Sequence, residues 1–118
     1  MTSAELKLRT KRFAVDIIRF ANTLPRDRST DVIARQLIKS GTSVGANYRS
    51  SCRAKSKRDF ISKIGTAEEE ADESQFWLEV LVDAGIVKPV AVTPLLDEAD
   101  QFVRIFVASI NTARGGHR

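Results

Sequence analysis

The stretch of sequence that decides the fold runs from Ser56 to Gly85 and reads SKRDFISKIGTAEEEADESQFWLEVLVDAG. Small and apolar residues recur in it at alternating spacings of four and three, a period typical of an amphipathic α-helix. These residues are Phe60, Ile64, Ala67, Ala71, Ser74, Leu78 and Leu81. Ser56 and Asp59 imitate a capping box at the start, with Asp in place of the usual Glu or Gln. Gly85 supplies the left-handed residue that ends such a helix. The stretch therefore predicts one long helix.

A first helix is predicted on the N-terminal side, from about Ala4 to Asn22. Thr2 and Glu5 fit the two positions of a capping box, and Pro25 ends the segment because a residue before proline is pushed out of the helical region. One apolar stripe runs along it, formed by Leu6, Phe13, Ile17, Phe20 and Leu24.

A second helix is predicted to start near Asp31, with Ser29 or Thr30 as its cap. Its apolar face is marked by Ile33, Leu37, Val44 and Tyr48, with Ser40 and Ser51 at the remaining stripe positions. Gly41 and Gly45 leave two alternatives: a loop over residues 40–47, or a continuous helix whose glycines let a neighbouring backbone come close. The polar positions keep one period across the glycines, which favours the continuous helix.

A fourth helix is predicted to open at Thr93-Pro94, a cap followed by proline, and to close at Gly115-Gly116. Its stripe consists of Leu96, Ala99, Val103, Phe106, Ile110 and Ala113. Short connections force neighbouring helices to run antiparallel. The predicted fold is all-α: one domain over residues 1–118, an antiparallel up-down-up-down four-helix bundle.

Length and composition agree with an ordinary globular domain. The chain has 118 residues, 42% hydrophobic and 29% charged, which fits one domain with its own core. One cysteine suits a reducing compartment. The N-terminus lacks the apolar region of a signal peptide, and no apolar run approaches the ~18 residues of a spanning helix. We therefore expect a cytoplasmic protein with no membrane contact.

The formal charge of +4 conceals a strong asymmetry. Residues 1–40 carry a net +5, residues 41–64 carry +5, residues 65–101 carry −9 and residues 102–118 carry +3. Such a distribution indicates either contact with nucleic acid or attraction between opposed faces of neighbouring chains.

The basic residues concentrate around the turn between the second and third helices. Eight of them are candidates for contact with nucleic-acid phosphates: Arg35, Lys39, Arg49, Arg53, Lys55, Lys57, Arg58 and Lys63. Arginine gives bidentate contacts to phosphate, and the affinity of such a surface falls steeply with salt. The alternative is a solvated bundle end, or charges that pair with the acidic stretch of a neighbouring subunit. Only Tyr48 lies near for base stacking, so RNA or DNA would be bound without sequence specificity.

A second basic group, Lys7, Arg9, Lys11 and Arg12, lies on the first helix. Repeated around a ring of subunits it would form a continuous basic surface. Ordinary solubilising charge explains it equally well.

Part of the apolar surface exceeds what one bundle needs. The third helix is apolar nearly all round near its end, and the fourth carries apolar residues beside its stripe. An all-round apolar segment implies a second burying surface, and the predicted oligomer interface consists of Phe76, Trp77, Val80, Leu95, Phe102 and Ile105. The alternative is a wide core stripe with aromatic edges.

Catalytic and metal chemistry find little support. A di-iron bundle needs histidines in its helices, and the only histidine is His117. The acidic stripe of Glu68, Asp72, Gln75 and Glu79 is explained by a solvated or inter-subunit face. Cys52 has no neighbouring base. We therefore predict no catalytic residue, no metal and no cofactor.

Three segments carry a family resemblance: Gln36–Phe60, Ile64–Ser74 and Trp77–Glu79. They resemble the bacterial four-helix-bundle family first noted as open reading frames within intervening sequences of 23S ribosomal RNA genes. The match spans essentially the whole chain, and Asn47–Glu79 is its specific part. Tyr48, Arg49 and Arg53 stand where many members have small and acidic residues, as in a basic subgroup.

The resemblance implies an antiparallel four-helix bundle that assembles into rings of five. A related branch, the accessory proteins of diversity-generating retroelements, forms basic pentamers that engage a reverse transcriptase and nucleic acid. No enzymatic activity is established for the main family, and membership does not imply a ribosome subunit. The function predicted from the sequence is a non-enzymatic homo-oligomer, a pentamer, that contacts phosphates through the helix 2–3 turn. The alternative is a protein-interaction adaptor or scaffold that does not bind nucleic acid.

Overall fold

Four helices account for nearly all of the residues that the computed structural model describes, which are residues 1–115. They are α1 (Ser3–Ala21), α2 (Arg28–Ser51), α3 (Lys57–Asp83) and α4 (Pro89–Ala113). Each packs against the next in the chain, and α1 also meets α4, which closes the set into an antiparallel four-helix bundle measuring 46 × 26 × 21 Å. The predicted fold class is confirmed.

The starts of α1 and α3 follow the predicted caps. The Thr2 hydroxyl accepts from the backbone N–H of Glu5 at 3.1 Å, and the Glu5 carboxylate accepts from the backbone N–H of Thr2 at 2.7 Å. These bonds lower the pKa of Glu5. At α3 the Ser56 hydroxyl accepts from the backbone N–H of Asp59, but the Asp59 carboxylate takes the N–H of Lys55 rather than that of Ser56. The shorter Asp side chain thus closes only half of a capping box.

Two helix starts were predicted wrongly. α2 begins at Arg28, capped by Asp27, whose carboxylate accepts from the backbone N–H of Thr30 at 2.9 Å. α4 begins at Pro89, so that Pro94 lies inside the helix. Pro94 has no N–H to donate to the preceding turn, yet the earlier start buries Val92 in the core.

The glycines of α2 lie under α1, as the continuous-helix interpretation required. A Cβ at Gly41 would lie 2.8 Å from two carbons of the Ile17 side chain, and a Cβ at Gly45 would lie 3.2 Å from the carbonyl oxygen of Thr10. Both distances are shorter than ordinary van der Waals contact. A side chain at either position would therefore require α1 or its side chains to shift away from α2.

The core is aromatic where α1, α2 and α4 meet. The rings of Phe13 and Phe102 stand edge to face at 5.4 Å, and Phe106 stacks with Tyr48 at 5.9 Å. On the other side of the bundle the Ser74 hydroxyl donates to the Ser40 hydroxyl at 3.0 Å, a buried bond between α3 and α2. The two serines predicted on the α2 stripe, Ser40 and Ser51, are both buried.

Candidate nucleic-acid interface

The predicted basic turn occupies one end of the bundle. It joins the last turn of α2 to the first turn of α3, and the structure exposes five of its cationic side chains: Arg49, Arg53, Lys55, Lys57 and Arg58. The five cations fall within ten consecutive positions of the sequence. Because α2 ends at Ser51 and α3 is capped at Ser56, these positions all lie at the same end of the bundle. We call them the basic turn.

The five cations of the basic turn form no ion pair with another residue in the range 1–115. Within residues 1–115 the cations that form ion pairs are Arg9, Arg26, Lys63 and Arg104, and none of these belongs to the basic turn. The positive charges of the turn are therefore free to meet an anion that the chain does not supply.

Lys63 differs from the other predicted contact residues. Its ammonium group donates to both carboxylate oxygens of Asp59 at 3.1 Å. The backbone N–H of Lys55 and then the Lys63 ammonium lower the pKa of Asp59. Lys63 thus supports the start of α3 and is already neutralised.

Arg35 and Lys39 are exposed, but they lie along α2 rather than at the turn. At 1.5 Å of rise per residue, Arg35 stands roughly 21 Å along the axis from Arg49 and Lys39 roughly 15 Å. Lys39 also lies near Glu70 of α3: burial, then the charge of Glu73, raises the pKa of that carboxyl, and the charge of Lys39 partly offsets the rise. The structure therefore separates these two residues from the basic turn.

A groove between α1 and α2 extends the basic surface in another direction. It has a volume of about 470 Å³, and Lys7 and Lys11 of α1 line it together with Arg49 of α2. The tip of α1 reaches the turn directly, because the Ser3 hydroxyl lies 3.3 Å from the Cys52 sulfur and accepts from the Tyr48 hydroxyl at 3.3 Å.

Arg9, predicted with Lys7 and Lys11 as a second basic group, faces the opposite flank of α1. Its guanidinium donates to both oxygens of Glu98 at 2.7 and 2.6 Å and to Gln101 at 2.6 Å. It also lies 5.3 Å from the centre of the Phe102 ring, within cation–π range. Arg9 is thus a clasp between α1 and α4, and local sequence spacing gave no sign of this.

Neither aromatic ring beside the basic turn is fully exposed for stacking on bases: Phe60 is half-buried against the core. Tyr48 is buried and stacked on Phe106, and burial raises the pKa of its hydroxyl above the ordinary value. The surface can hold phosphates by charge, but it lacks the stacking platforms of single-strand binders.

The structure changes the predicted apolar interface. Phe102 is fully buried in the core, so it is removed from that interface. Trp77, Leu95 and Ile105 are half-buried and pack against the core, and Val80 is half-buried as well. Phe76 alone of the six is exposed, at 53%. The four half-buried residues keep only part of their surface exposed, and their place in an oligomer interface stays a prediction.

Other exposed apolar side chains lie where the sequence pattern did not place them. They include Leu8, Val15 and Ile18 on α1 and Val107 on α4. Their spacing along α1 is seven and then three, which is itself a helical stripe. That signal was present but was overshadowed by the stronger core stripe of the same helix.

The described part of the chain shows no arrangement for metal binding or membrane insertion. Residues 1–115 contain no cluster of three or more His, Cys, Asp or Glu side chains that could hold a metal ion. No helix in this range is long and apolar enough to cross a bilayer. The predicted acidic stripe lies on α3, where Asp72 and Glu79 are exposed and Glu68 and Gln75 are half-buried. His117 lies outside the described residues.

Comparison with known proteins identifies the family. Residues 4–108 match the family described as 23S rRNA-intervening sequence protein. Among solved structures, the fold matches a protein of unknown function from the S23 ribosomal protein family of Bacteroides thetaiotaomicron VPI-5482, at 29% identity and a TM-score of 0.86. The match covers 94% of this chain and 99% of that one. No curated protein matches. The chain belongs to the 23S rRNA-intervening sequence protein family.

Proposed function

We propose that this member of the 23S rRNA-intervening sequence protein family is a non-enzymatic, cytoplasmic homo-oligomer that contacts nucleic-acid phosphates through the basic turn. The observation that carries the proposal is the cluster of five exposed cations, none of them paired within residues 1–115. Lys7 and Lys11 line the adjoining groove and add to the positive charge near the turn.

Charge without base readout suits binding to the phosphate backbone. Arg49, Arg53 and Arg58 can each present a planar fork of donors to a phosphate, whereas no exposed ring lies at the turn to stack on a base. Phosphate contacts position a nucleic acid but carry no sequence information. The ligand we propose is therefore RNA or DNA of any sequence, bound with a steep salt dependence.

Assembly multiplies this surface. The family resemblance implies five copies, and a ring would present the basic turn once per subunit at one end. Linked sites raise the overall affinity far above that of a single turn. We propose a homopentamer on this ground.

The test is a titration of labelled single-stranded RNA and DNA at about 50 and about 200 mM salt. We expect binding at the lower salt concentration that weakens by at least tenfold at the higher one. The variant Arg49→Glu/Arg53→Glu/Lys57→Glu should lose it. Absence of binding by the wild type at low salt, or full binding by the triple variant, would remove the nucleic-acid proposal.

A matched control uses the opposite end of the bundle. Arg19→Glu/Arg26→Glu/Arg28→Glu makes the same change in net charge near the α1–α2 connection, a whole helix length away. This variant should keep most of the binding. Equal loss in both triple variants would mean that total charge, rather than the basic turn, governs the affinity.

The adaptor function has one observation in its favour. Phe76 exposes a large ring that packs edge to face on Trp77, with centroids 4.9 Å apart. Phe76→Ala should leave nucleic-acid binding unchanged under our proposal. A chain that binds no nucleic acid but loses self-association or a protein partner on this substitution would fit the adaptor instead.

A further inference from the structure

We infer that the α1/α2 face of one copy of this chain binds the α3/α4 face of a second copy, basic groove against acidic groove. The inference rests on the proposed oligomer and assigns the two surfaces that build it.

The topology places the two faces on opposite sides of the bundle. α1 packs on α2, α2 on α3, α3 on α4 and α4 on α1, while within residues 1–115 no Cα atom of one helix lies within 8 Å of a Cα atom of the diagonally opposite helix. The α1/α2 pair and the α3/α4 pair are thus opposite walls. A surface on one wall can reach a complementary surface on the other only by way of a second molecule.

The α1/α2 wall offers a basic groove of about 470 Å³. Lys7, Lys11 and Arg49 line it, and no acidic residue does. Its α2 side is built from small residues, among them Gly45, and beside it Leu8 is 57% exposed. The groove therefore combines cationic side chains with a small-residue and apolar surface.

The α3/α4 wall offers the opposite charge. Two grooves of about 330 and 320 Å³ follow the seam between these helices. Glu68 and Glu69 line the first, together with Arg114, and Glu79 and Asp83 line the second. Four carboxylates thus line the grooves of the α3/α4 wall, whereas the groove of the α1/α2 wall presents ammonium and guanidinium groups.

The first acidic groove also has room that its own chain does not use. A glycine inside a helix weakens that helix, and a Cβ at Gly65 would meet no atom within 4 Å. The glycines of α2 differ, because α1 covers them. Beside Gly65 lie Ile61 and the exposed Val107. The α1 helix of a neighbour, with Leu8 and Lys11 exposed, has the apolar and basic side chains that this site complements.

Charge also decides which faces meet. Two basic grooves repel each other, as do two acidic ones, so pairing of a face with its own copy is disfavoured. Pairing of unlike faces is head to tail and leaves one face of each kind free on every dimer. Such an interface closes into a ring or extends into a filament.

The test reverses the charge of each face. Lys7→Glu/Lys11→Glu changes one face and Glu68→Lys/Glu69→Lys the other, and sedimentation at micromolar concentration measures the mass. We expect an oligomeric wild type and two variants that each sediment near the 13.1 kDa of one chain. An equimolar mixture of the two variants should associate, because each retains one wild-type face and the reversed faces also match. A single chain carrying all four substitutions should assemble with itself.

Two further variants separate assembly from folding. Gly65→Leu adds a side chain into space that is empty within the chain, so it should abolish assembly while circular dichroism shows an intact helical fold. Arg12→Glu/Arg19→Glu makes the same change in net charge as the α1 variant, on the same helix but outside the groove, and should stay oligomeric.

The outcomes distinguish this inference from the proposal on which it rests. An oligomeric wild type with oligomeric charge and Gly65 variants overturns the inference and leaves the oligomer standing. Two monomeric variants that fail to associate when mixed also overturn it, because the two faces then do not meet each other. A wild type that is monomeric at this concentration overturns both the inference and the oligomer. Contact of the basic turn with nucleic acid is judged by its own titration, and none of these sedimentation results decides it.

Discussion

Helix α1 meets its two neighbours in different ways. Against α2 it lies close, because Gly41 and Gly45 have no side chains to hold Ile17 and Thr10 away. Against α4 the approach is far less close, and large side chains bridge the wider gap. Phe13 meets Phe102 there, and Arg9 reaches Glu98.

The two contacts of α1 are therefore stabilised in different ways. The α1–α2 seam is stabilised by dispersion between closely placed backbones and tolerates no added atom. The α1–α4 seam is stabilised by buried aromatic area and one ion pair, so it tolerates no lost atom. Additions should damage the first seam and deletions the second.

The largest effect is expected from a deletion in the wide seam. Phe102→Ala removes a fully buried ring that packs between Phe13 and Phe106. We expect the free energy of unfolding to fall by about 3–5 kcal/mol, measured by urea titration. Under the assembly inferred above, the Glu68→Lys/Glu69→Lys background should keep self-association out of the measurement. A loss below about 1 kcal/mol would contradict the role given to this seam.

The next effect comes from an addition to the close seam. Gly41→Ala places a methyl group 2.8 Å from the side chain of Ile17, which is itself fully buried and stiff at its branched Cβ. We expect a loss of about 1–3 kcal/mol in the same urea titration, even though alanine is the better helix former. A more stable variant would show that α1 can move away freely.

A smaller loss is expected from the clasp. Arg9→Met keeps an unbranched apolar side chain but removes the guanidinium with its bonds to Glu98 and Gln101, and should lower the stability by about 1 kcal/mol. Arg104→Met, which breaks the exposed pair with Asp100, is the matched control and should cost about 0–0.5 kcal/mol. A double-mutant cycle with Glu98→Gln isolates the coupling. Equal losses of stability in Arg9→Met and Arg104→Met would show that the Arg9–Glu98 pair stabilises the fold no more than an exposed ion pair does.

The smallest effect has the opposite sign. Gly65→Ala adds a methyl group where the chain leaves open space, so the better helix propensity should raise the stability by about 0.5–1 kcal/mol. Thermal unfolding in the same charge-reversed background measures it. A loss would mean that Gly65 serves the folding of its own chain, as Gly41 does.

Much of the fold could be predicted because its signals are local. The period of α3, its Ser56 cap and the Gly85 stop are all visible within one stretch, and Gly85 indeed takes a φ of +74°. The start of α4 could not be placed in this way. Thr93-Pro94 and Lys88-Pro89 both place a proline where the first turn of a helix accepts one. The helix starts at the earlier pair, and this start buries Val92 in the core, a tertiary contact that the local sequence does not show.

The residues of the candidate site likewise divide into those that local sequence could predict and those that depend on contacts between helices. The basic turn was predictable because its cations are neighbours in sequence. The role of Arg9 depends on Glu98 and Phe102, which lie on α4 about ninety positions further along the chain. The role of Phe102 depends in turn on its contacts with α1. The wide apolar face of α4 fits more than one orientation, and the contact of Phe102 with Phe13 decides which side turns inward. No local period contains that contact.

The order of packing has a kinetic consequence. The three closely packed helix pairs join helices that follow each other in the chain, and only the looser contact of α1 with α4 spans the whole length. Little loop-closure entropy is lost before most native contacts can form. Chains with such local contacts fold within about microseconds to milliseconds. We expect the three helical hairpins to assemble first and the joining of α4 to α1 to come last.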